Sequence, residues 1–512
     1  MPAIITDQIR VLNASNFVSG ISTTTSSYYV FIGLPNATEV NSDWNTNTPA
    51  PIDNFDDHDD IYDTLISAKK VNSSDVLQVI RKISWTTGTI YEMYRHDYDI
   101  NNTTPQTNSS NLYNSNFYVM NSDFRVYECI YNGANPTNSG KGIVSLEEPT
   151  HTDLQPRLES DGYLWKYLYT IKPSDIVKFD SVDYIPVPSD WLNNSDTLDV
   201  RNAAVDGKIE TVVIEDVTNA SYQFNGTKNA VPIRGDGSDG LASVTFINGK
   251  PSAVQVTNGG SGYSFATLDL DDVVTGSGAS FSVIVPPPGG HGADIYRELG
   301  ANKVLVYSRI ENSDVTNPDF PTGNQFARIG IIENPLRFGS TNLLTASSAA
   351  GVYGLRLAGA ATTSMSVAVD GQITQTVGVG STAVGQIIGY DPVTKSLQYW
   401  QDRSLAINDS SGDKPTYGYK LNRFTANPAS GGDTNIIVTT TGGTETLSID
   451  TGFTGVSTTV NSRTYYFGQT YNSGLANPEI KKYSGNMIYI DQRPEVTRAT
   501  NQREDIKIIL EF

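Results

Sequence analysis

Short apolar–polar alternations, cut every few residues by Gly, Asn, Asp or Pro, run through most of this 512-residue chain. A period of two puts successive side chains on opposite faces of a strand, so each such run can bury only one face or be covered on both. Phe117 and Val119, then Phe124, Val126, Glu128 and Ile130, flank Asn121-Ser122-Asp123, which predicts a hairpin. Tyr163, Trp165, Tyr167, Tyr169 and Ile171 alternate with Leu164, Lys166, Leu168 and Thr170. Both faces of that run are largely apolar, so it is expected in the middle of a sheet. Ile506, Ile508, Leu510 and Phe512 alternate with Asp505, Lys507 and Glu511. That pattern predicts a final strand with four inward side chains. Tyr (28), Gly (44), Asn, Ser and Thr are abundant, and long runs of Ala, Leu, Glu and Lys are missing. The chain is therefore predicted to be mainly β with many loops.

Helical signals are few. Asp59 to Lys70 has acids first and lysines last, matching the helix dipole, with Ile61 and Leu65 on one face. Ser74 to Lys82 is a second short candidate. Together they predict a small helical excursion at about 55–83. Two stretches differ in texture. Residues 201–290 are rich in Gly, Val, Thr and Asp and close on Pro286-Pro287-Pro288-Gly289-Gly290, which reads as a linker. Residues 338–462 are rich in Ser, Thr, Gly and Ala. Val367 to Ile373 predicts a hairpin around Asp370-Gly371, and Asn435 to Thr440 with Thr444 to Ile449 predicts another. Both stretches read as inserted β modules. The remainder, 1–200 with 291–337 and 463–512, reads as a discontinuous core.

The formal net charge is −20, from 35 Lys plus Arg against 55 Asp plus Glu. That sign disfavours general nucleic-acid binding and anionic membrane surfaces. One cysteine, Cys129, excludes an internal disulfide framework and a multi-Cys zinc site. The start MPAIITDQIR predicts no secretory leader, and the apolar runs are far shorter than the roughly 20 residues of a membrane span.

Candidate chemistry is weighed residue by residue. Asp53, Asp56, Asp57, Asp59, Asp60 and Asp63 could offer hard oxygen ligands to calcium, but they lack the EF-hand order and fit the start of a solvated helix better. His58 and His96 stand alone, without a Cys, His or Ser partner pattern. Ser261 in Gly-Gly-Ser-Gly-Tyr is not a nucleophile elbow, and Asn258 to Gly262 lacks the helix or Lys of a phosphate cradle. Glu159 and Asp161 could serve as a glycosidase pair, though spacing in sequence is not spacing in space. Cys129 reads as an inert buried thiol, and Trp165, Tyr167 and Tyr169 as core rather than a sugar-stacking stripe. No catalytic, cofactor-binding or metal-binding constellation is expected.

Several segments resemble a known family. Glu159 to Ile171 (ESDGYLWKYLYTI) is similar to a strand of the baseplate wedge subunit of T-even-type contractile-tailed bacteriophages and their cyanophage relatives. Ser484 to Val496 (SGNMIYIDQRPEV) and Gln502 to Phe512 (QREDIKIILEF) are similar to its C-terminal region. Val79 to Trp85, Gly88 to Tyr91, Phe124 to Cys129 and Ile329 to Pro335 agree in part, and the order is collinear. Gln492 stands where the family often has Asn, and 201–290 and 338–462 make this chain longer.

That resemblance implies a multilayered β-sandwich with small helical excursions, and a homodimer within each wedge of the virion tail baseplate, assembled in the host cytoplasm. It implies other baseplate wedge proteins and a fibre- or spike-attachment protein as partners. It brings no enzymatic activity and no cofactor, and neither nucleic acid nor membrane as a partner. The role is structural, supporting baseplate rearrangement when the sheath contracts. A tail-fibre-like receptor- or glycan-binding protein is the alternative, motivated by the Gly-, Ser- and Thr-rich stretches. A polysaccharide-cleaving enzyme is a third reading, resting only on carboxylates without a partner pattern.

Overall fold

A computed structural model describes residues 6–23, 25–35, 44–189, 191, 198–270, 273–311, 325–358, 371–401, 422–497 and 503–512. The protein is mainly β. It divides into two compact units, 1–18 with 76–306 and 508–512, and 19–75 with 307–507. This division replaces the expected single core of 1–200, 291–337 and 463–512, whose parts fall in both units.

In the first unit one sheet runs in the order Tyr118–Met120, Arg125–Tyr131, Leu164–Thr170, Arg157–Leu158. The expected hairpin is present, and Asn121 makes it. Its side-chain oxygen accepts the Asp123 and Arg125 amides at 2.9 Å each, mimicking a backbone turn. The Leu164–Thr170 strand is central, as its two apolar faces predict. Trp165 and Tyr169 are fully buried, and Tyr163 stacks on Trp165 at 5.3 Å while Tyr91 meets it edge-on at 5.8 Å. A second sheet is ordered Arg503–Glu511, Lys303–Glu311, Val76–Arg81, Tyr184–Pro186, and its first two strands carry residues assigned to each unit. The terminal strand is therefore an edge strand. Ile506 and Ile508 are buried, but Leu510 and Phe512 are only half-buried, so the expected four inward side chains reduce to two.

Within 201–290, Thr211–Asp216 and Ser280–Ile284 pair antiparallel and bring entry and exit side by side. Beyond that neck lies a separate sheet, Lys250–Asn258, Leu241–Ile247, Gly226–Gly235, Ala266–Leu268. It has its own core around Val231, Ala242, Val244, Phe246 and Tyr263. Arg95 ties the neck to the main body, bridging Asp97 at 2.7 Å and Glu215 at 2.8 Å. Because Asp216 lies opposite Ser280, a two-residue Asn-Gly loop can replace 217–279. That protein is expected to stay soluble and to melt cooperatively, at a lower midpoint. Ile209, Val212 and Val283 lose their cover, costing at most about 1.5–3 kcal/mol each, and the Ile209 amide loses the Gly259 carbonyl. A calorimetric scan checks this, and an aggregated product without a cooperative transition refutes it.

In the second unit a five-stranded antiparallel sheet is ordered Ser348–Ala350, Leu65–Lys70, Tyr28–Gly33, Gln325–Glu333, Asn486–Thr497. Here the helix expected over Asp59 to Lys70 is corrected. The helix is Phe55–Thr64, capped by Asn54, and Leu65–Lys70 is a strand. Leu65 to Ala68 are buried between two strands, so ladder pairing and burial override a charge pattern that suits a helix. The helix expected over Ser74 to Lys82 is corrected likewise. A single 3-10 turn, Ser73–Asp75, leads into the strand Val76–Arg81, where Val76, Val79 and Ile80 favour a pleated surface. Sequence reading missed the helix Asp7–Ile21, whose apolar residues are spread over both faces: Val11, Ala14 and Ile21 are buried, while Ile9 and Leu12 are exposed.

Residues 353–476 build the largest sheet among those described. Six of its strands, Tyr353–Ala358, Ser396–Trp400, Ser381–Asp391, Gln372–Gly378, Asn435–Thr440 and Gly443–Ile449, pair in a ring that closes on itself. Leu355, Ile373, Leu397, Ile436 and Val438 fill the barrel. Leu475–Ala476, Arg463–Asn472 and Gly455–Val460 extend it as an arm. The 435–449 hairpin matches expectation, while the one expected around Asp370-Gly371 lies mostly outside the described residues. The expected boundary at 462 falls in a turn inside this sheet. Asn461 and Ser462 adopt φ of 50° and 63°, the left-handed pair of a tight hairpin.

Candidate functional site

The described residues bring three ionisable side chains together inside the first unit: Glu128, His291 and Glu298. Glu128 sits on Arg125–Tyr131, between two neighbouring strands, and is fully buried. His291 follows the triple proline. That stretch is no loose linker: the Gly290 amide bonds back to the Pro287 carbonyl at 2.8 Å. Gly290 has φ +90°, and a Cβ there would lie 2.3 Å from the Val205 carbonyl, so only glycine lets the chain turn here. Glu298 ends the one-turn helix Ile295–Glu298, capped by Asp294.

His291 Nδ1 lies 2.9 Å from Glu128 Oε2 and 2.8 Å from Glu298 Oε1. The Gly292 amide donates to Glu298 Oε2 at 2.7 Å. The Tyr94 ring meets the imidazole edge-on at 4.8 Å. Burial opposes a charge on His291, but Glu128 and Glu298 outweigh it and push the ring up to about 10. Burial and the neighbouring Glu298 push Glu128 up to about 8. Burial acts on Glu298 too, yet its hydrogen bonds with His291 and the Gly292 amide hold it below the usual carboxylate range. Of the two carboxyls, Glu128 keeps its proton, because it has fewer donors aimed at it. Lys166 stands directly across the ladder from Glu128. It is buried, which lowers its pKa, and its ammonium donates to the Leu154 carbonyl.

A cleft of about 330 Å³ adjoins the cluster, lined by Tyr94, His96, Tyr113, Pro287, Arg297 and Glu298 among others. Its floor thus shares Tyr94 and Glu298 with the buried cluster.

The residues singled out from sequence are placed elsewhere. His96 lines the cleft and accepts the Val285 amide at 3.2 Å, with burial lowering its pKa. His58 pairs with Asp53 at 3.1 Å. Among the described side chains of 53–63, none joins a ligand-like group of three. Asp161 is committed to its own turn, accepting from Ser145, Leu146, Glu147 and Tyr163. Glu159 lies 3.9 Å from His151 and is raised by burial. Ser261 bridges Ser238 at a tight turn, and burial pushes the Cys129 thiol well up. Trp165 and Tyr169 are core, with Tyr167 packed against it.

Sequence reading missed Glu128, His291 and Glu298 as a group. The available signal was a charged residue in series with Val126 and Ile130 on an apolar strand. A scan of protein families finds none that matches this chain, and a search of curated proteins finds no match.

Proposed function

We propose that this chain is a non-enzymatic structural subunit of a phage tail baseplate wedge. In this reading it is a homodimer that links other wedge proteins, including one that carries a fibre or spike, within the virion. The observation that carries the reading is the collinear set of segments resembling that family. Their arrangement supports it. Phe124 to Cys129 and Glu159 to Ile171 lie far apart in sequence yet contain strands that pair, Cys129 opposite Trp165. Ile329 to Pro335 and Ser484 to Val496 do the same, Ile329 opposite Asp491. Segments that resemble one family and also pair with each other behave as parts of one inherited scaffold.

Size-exclusion light scattering, with and without the other tail proteins of the same phage, tests this. The expected result is a dimer that co-elutes with wedge proteins. A trimer that binds host cells or glycans by itself favours the fibre-like reading instead. No release of reducing sugar from host envelope is expected. Release that a single Asp or Glu substitution abolishes refutes the non-enzymatic assignment.

A further inference from the structure

We propose that Glu128, His291 and Glu298 form a binding site for one divalent cation of the zinc–manganese class. The first ground is convergence. Three elements, a central strand, a glycine-pinned loop and a one-turn helix, each deliver one ligand atom, and all lie within 4.8 Å of one another. The second is an acceptor left without a partner. Both carboxyl groups reach the same imidazole nitrogen, Glu128 through Oε2 and Glu298 through Oε1. The other oxygen of Glu128 is fully buried and has no hydrogen-bond partner among the described residues. An acceptor left in that state costs about 1–3 kcal/mol or more, and a cation at the centre of the three groups removes the deficit. Lys166, opposite Glu128 in the ladder, donates to the Leu154 carbonyl, and Glu128 Oε1 receives no hydrogen bond from it.

The third ground is the surrounding support. Metal-binding carboxylates and imidazoles are held in place by partners behind them. The Gly292 amide holds Glu298 Oε2, and the Tyr94 ring holds the imidazole plane. Gly292 has φ +87°, the left-handed turn that aims its amide at Glu298. The donor set selects the ion. One imidazole nitrogen with two carboxylates suits zinc or manganese, whereas calcium takes six to eight oxygens and magnesium keeps most of its water. Zinc bonds to such ligands are about 2.0–2.2 Å, which places tetrahedral ligand atoms about 3.3–3.6 Å apart. The present 2.8–2.9 Å spacings from the imidazole nitrogen would open by about 0.4–0.8 Å. Glu298 also lines the adjoining cleft.

The test uses the full-length protein, stripped with a chelator and dialysed against ZnCl2, MnCl2 or CoCl2. One equivalent of metal per chain is expected, with a higher thermal midpoint and a visible Co2+ spectrum containing a nitrogen ligand. Glu128→Gln and Glu298→Gln keep the side-chain shape and are expected to weaken binding by more than about 100-fold, beyond the effect typical of a supporting residue. Should those variants fail to fold, anomalous diffraction from a zinc-soaked wild-type crystal decides, with a peak expected among the three side chains. Failure of the wild-type protein to bind any of the three metals stoichiometrically overturns the proposal. So does an anomalous peak elsewhere, or unchanged affinity in folded Glu128→Gln.

Discussion

Ending the chain at Glu504 is expected to yield an unfolded or aggregating product rather than a slightly weaker protein. The residues removed supply most of an edge strand in the sheet built on Lys303–Glu311 and Val76–Arg81. Ile506 and Ile508 are buried at 7% and 4% exposure, each worth about 1.5–3 kcal/mol, or about 3–6 kcal/mol together as an upper figure. The Phe512 ring packs on Phe17 at 5.5 Å, and its amide bonds to the Asn302 carbonyl. Asp505 accepts from the Tyr307 hydroxyl and the Arg309 guanidinium, at 2.8 and 2.7 Å. The sum approaches the whole net stability of an ordinary domain, about 5–15 kcal/mol. Ile508→Asp should do comparable damage, since it buries a carboxylate among apolar side chains. Glu511→Ser removes only a partly exposed ion pair with Lys303, worth about 0–1 kcal/mol. Circular dichroism and a thermal melt of each variant check the order. A soluble truncated chain with an unchanged midpoint, or a Glu511→Ser protein as damaged as Ile508→Asp, contradicts it.

His291→Ala is expected to destabilise the first unit strongly. It leaves Glu128 and Glu298 buried side by side without the ring that joins them, and breaking a buried ionic group in this way costs about 3–5 kcal/mol. The same cluster fixes the sign of the pH response in chelator-treated protein. His291 is pushed from 6.5 up to about 10, and Glu128 from 4.5 up to about 8. In both cases the folded chain keeps a proton that the unfolded chain has released. The contribution is therefore intact below the ordinary values and is lost as pH rises, from about 4.5 to 8 for Glu128 and from about 6.5 to 10 for His291. Glu298 acts oppositely, losing its contribution as pH falls below its ordinary range. The groups facing the imidazole, Glu128, Glu298 and the Tyr94 ring, together with Lys166 across the ladder, all belong to this unit. A thermal midpoint that declines between pH 6.5 and pH 10, with a flatter profile in a folded Glu128→Gln protein, is the expected pattern. A midpoint that climbs over that interval refutes it.

What could be read from residue order follows from how local each cause is. The mainly β character and the 118–131 hairpin were legible, because alternation and an Asn side chain bonding its own turn act within a few residues. The change from helix to strand between Thr64 and Leu65 was not. Acids before lysines mark a helix dipole, but Leu65 to Ala68 are claimed by Tyr28–Gly33 on one side and Ser348–Ala350 on the other, far away in sequence. The boundary at 462 misled because a hairpin turn has the same small polar residues as a linker. The ionisable cluster was the least legible. Glu128 and His291 are separated by 163 positions, and a Pro-Pro-Pro-Gly-Gly run that looks like a spacer is what turns His291 inward. Only the oddity of Glu128 between Val126 and Ile130 was visible.

The six-stranded ring in residues 353–449 has a consequence for behaviour in crowded surroundings. An open sheet offers its outer strand to any passing chain, and identical molecules held at high local density can then grow fibres through shared backbone bonds. In the ring each strand has a neighbour on both sides over at least part of its length, which leaves it less backbone to lend than an open edge strand has. At the end of the strand order, Gly455–Val460 at the tip of the arm is an edge strand. It is short and rich in Ser and Thr, and its ladder is interrupted between Gly455 and Ser457. A brief, irregular, hydrophilic rim is the kind of edge that discourages polymerisation while leaving the rest of the surface free for specific contacts.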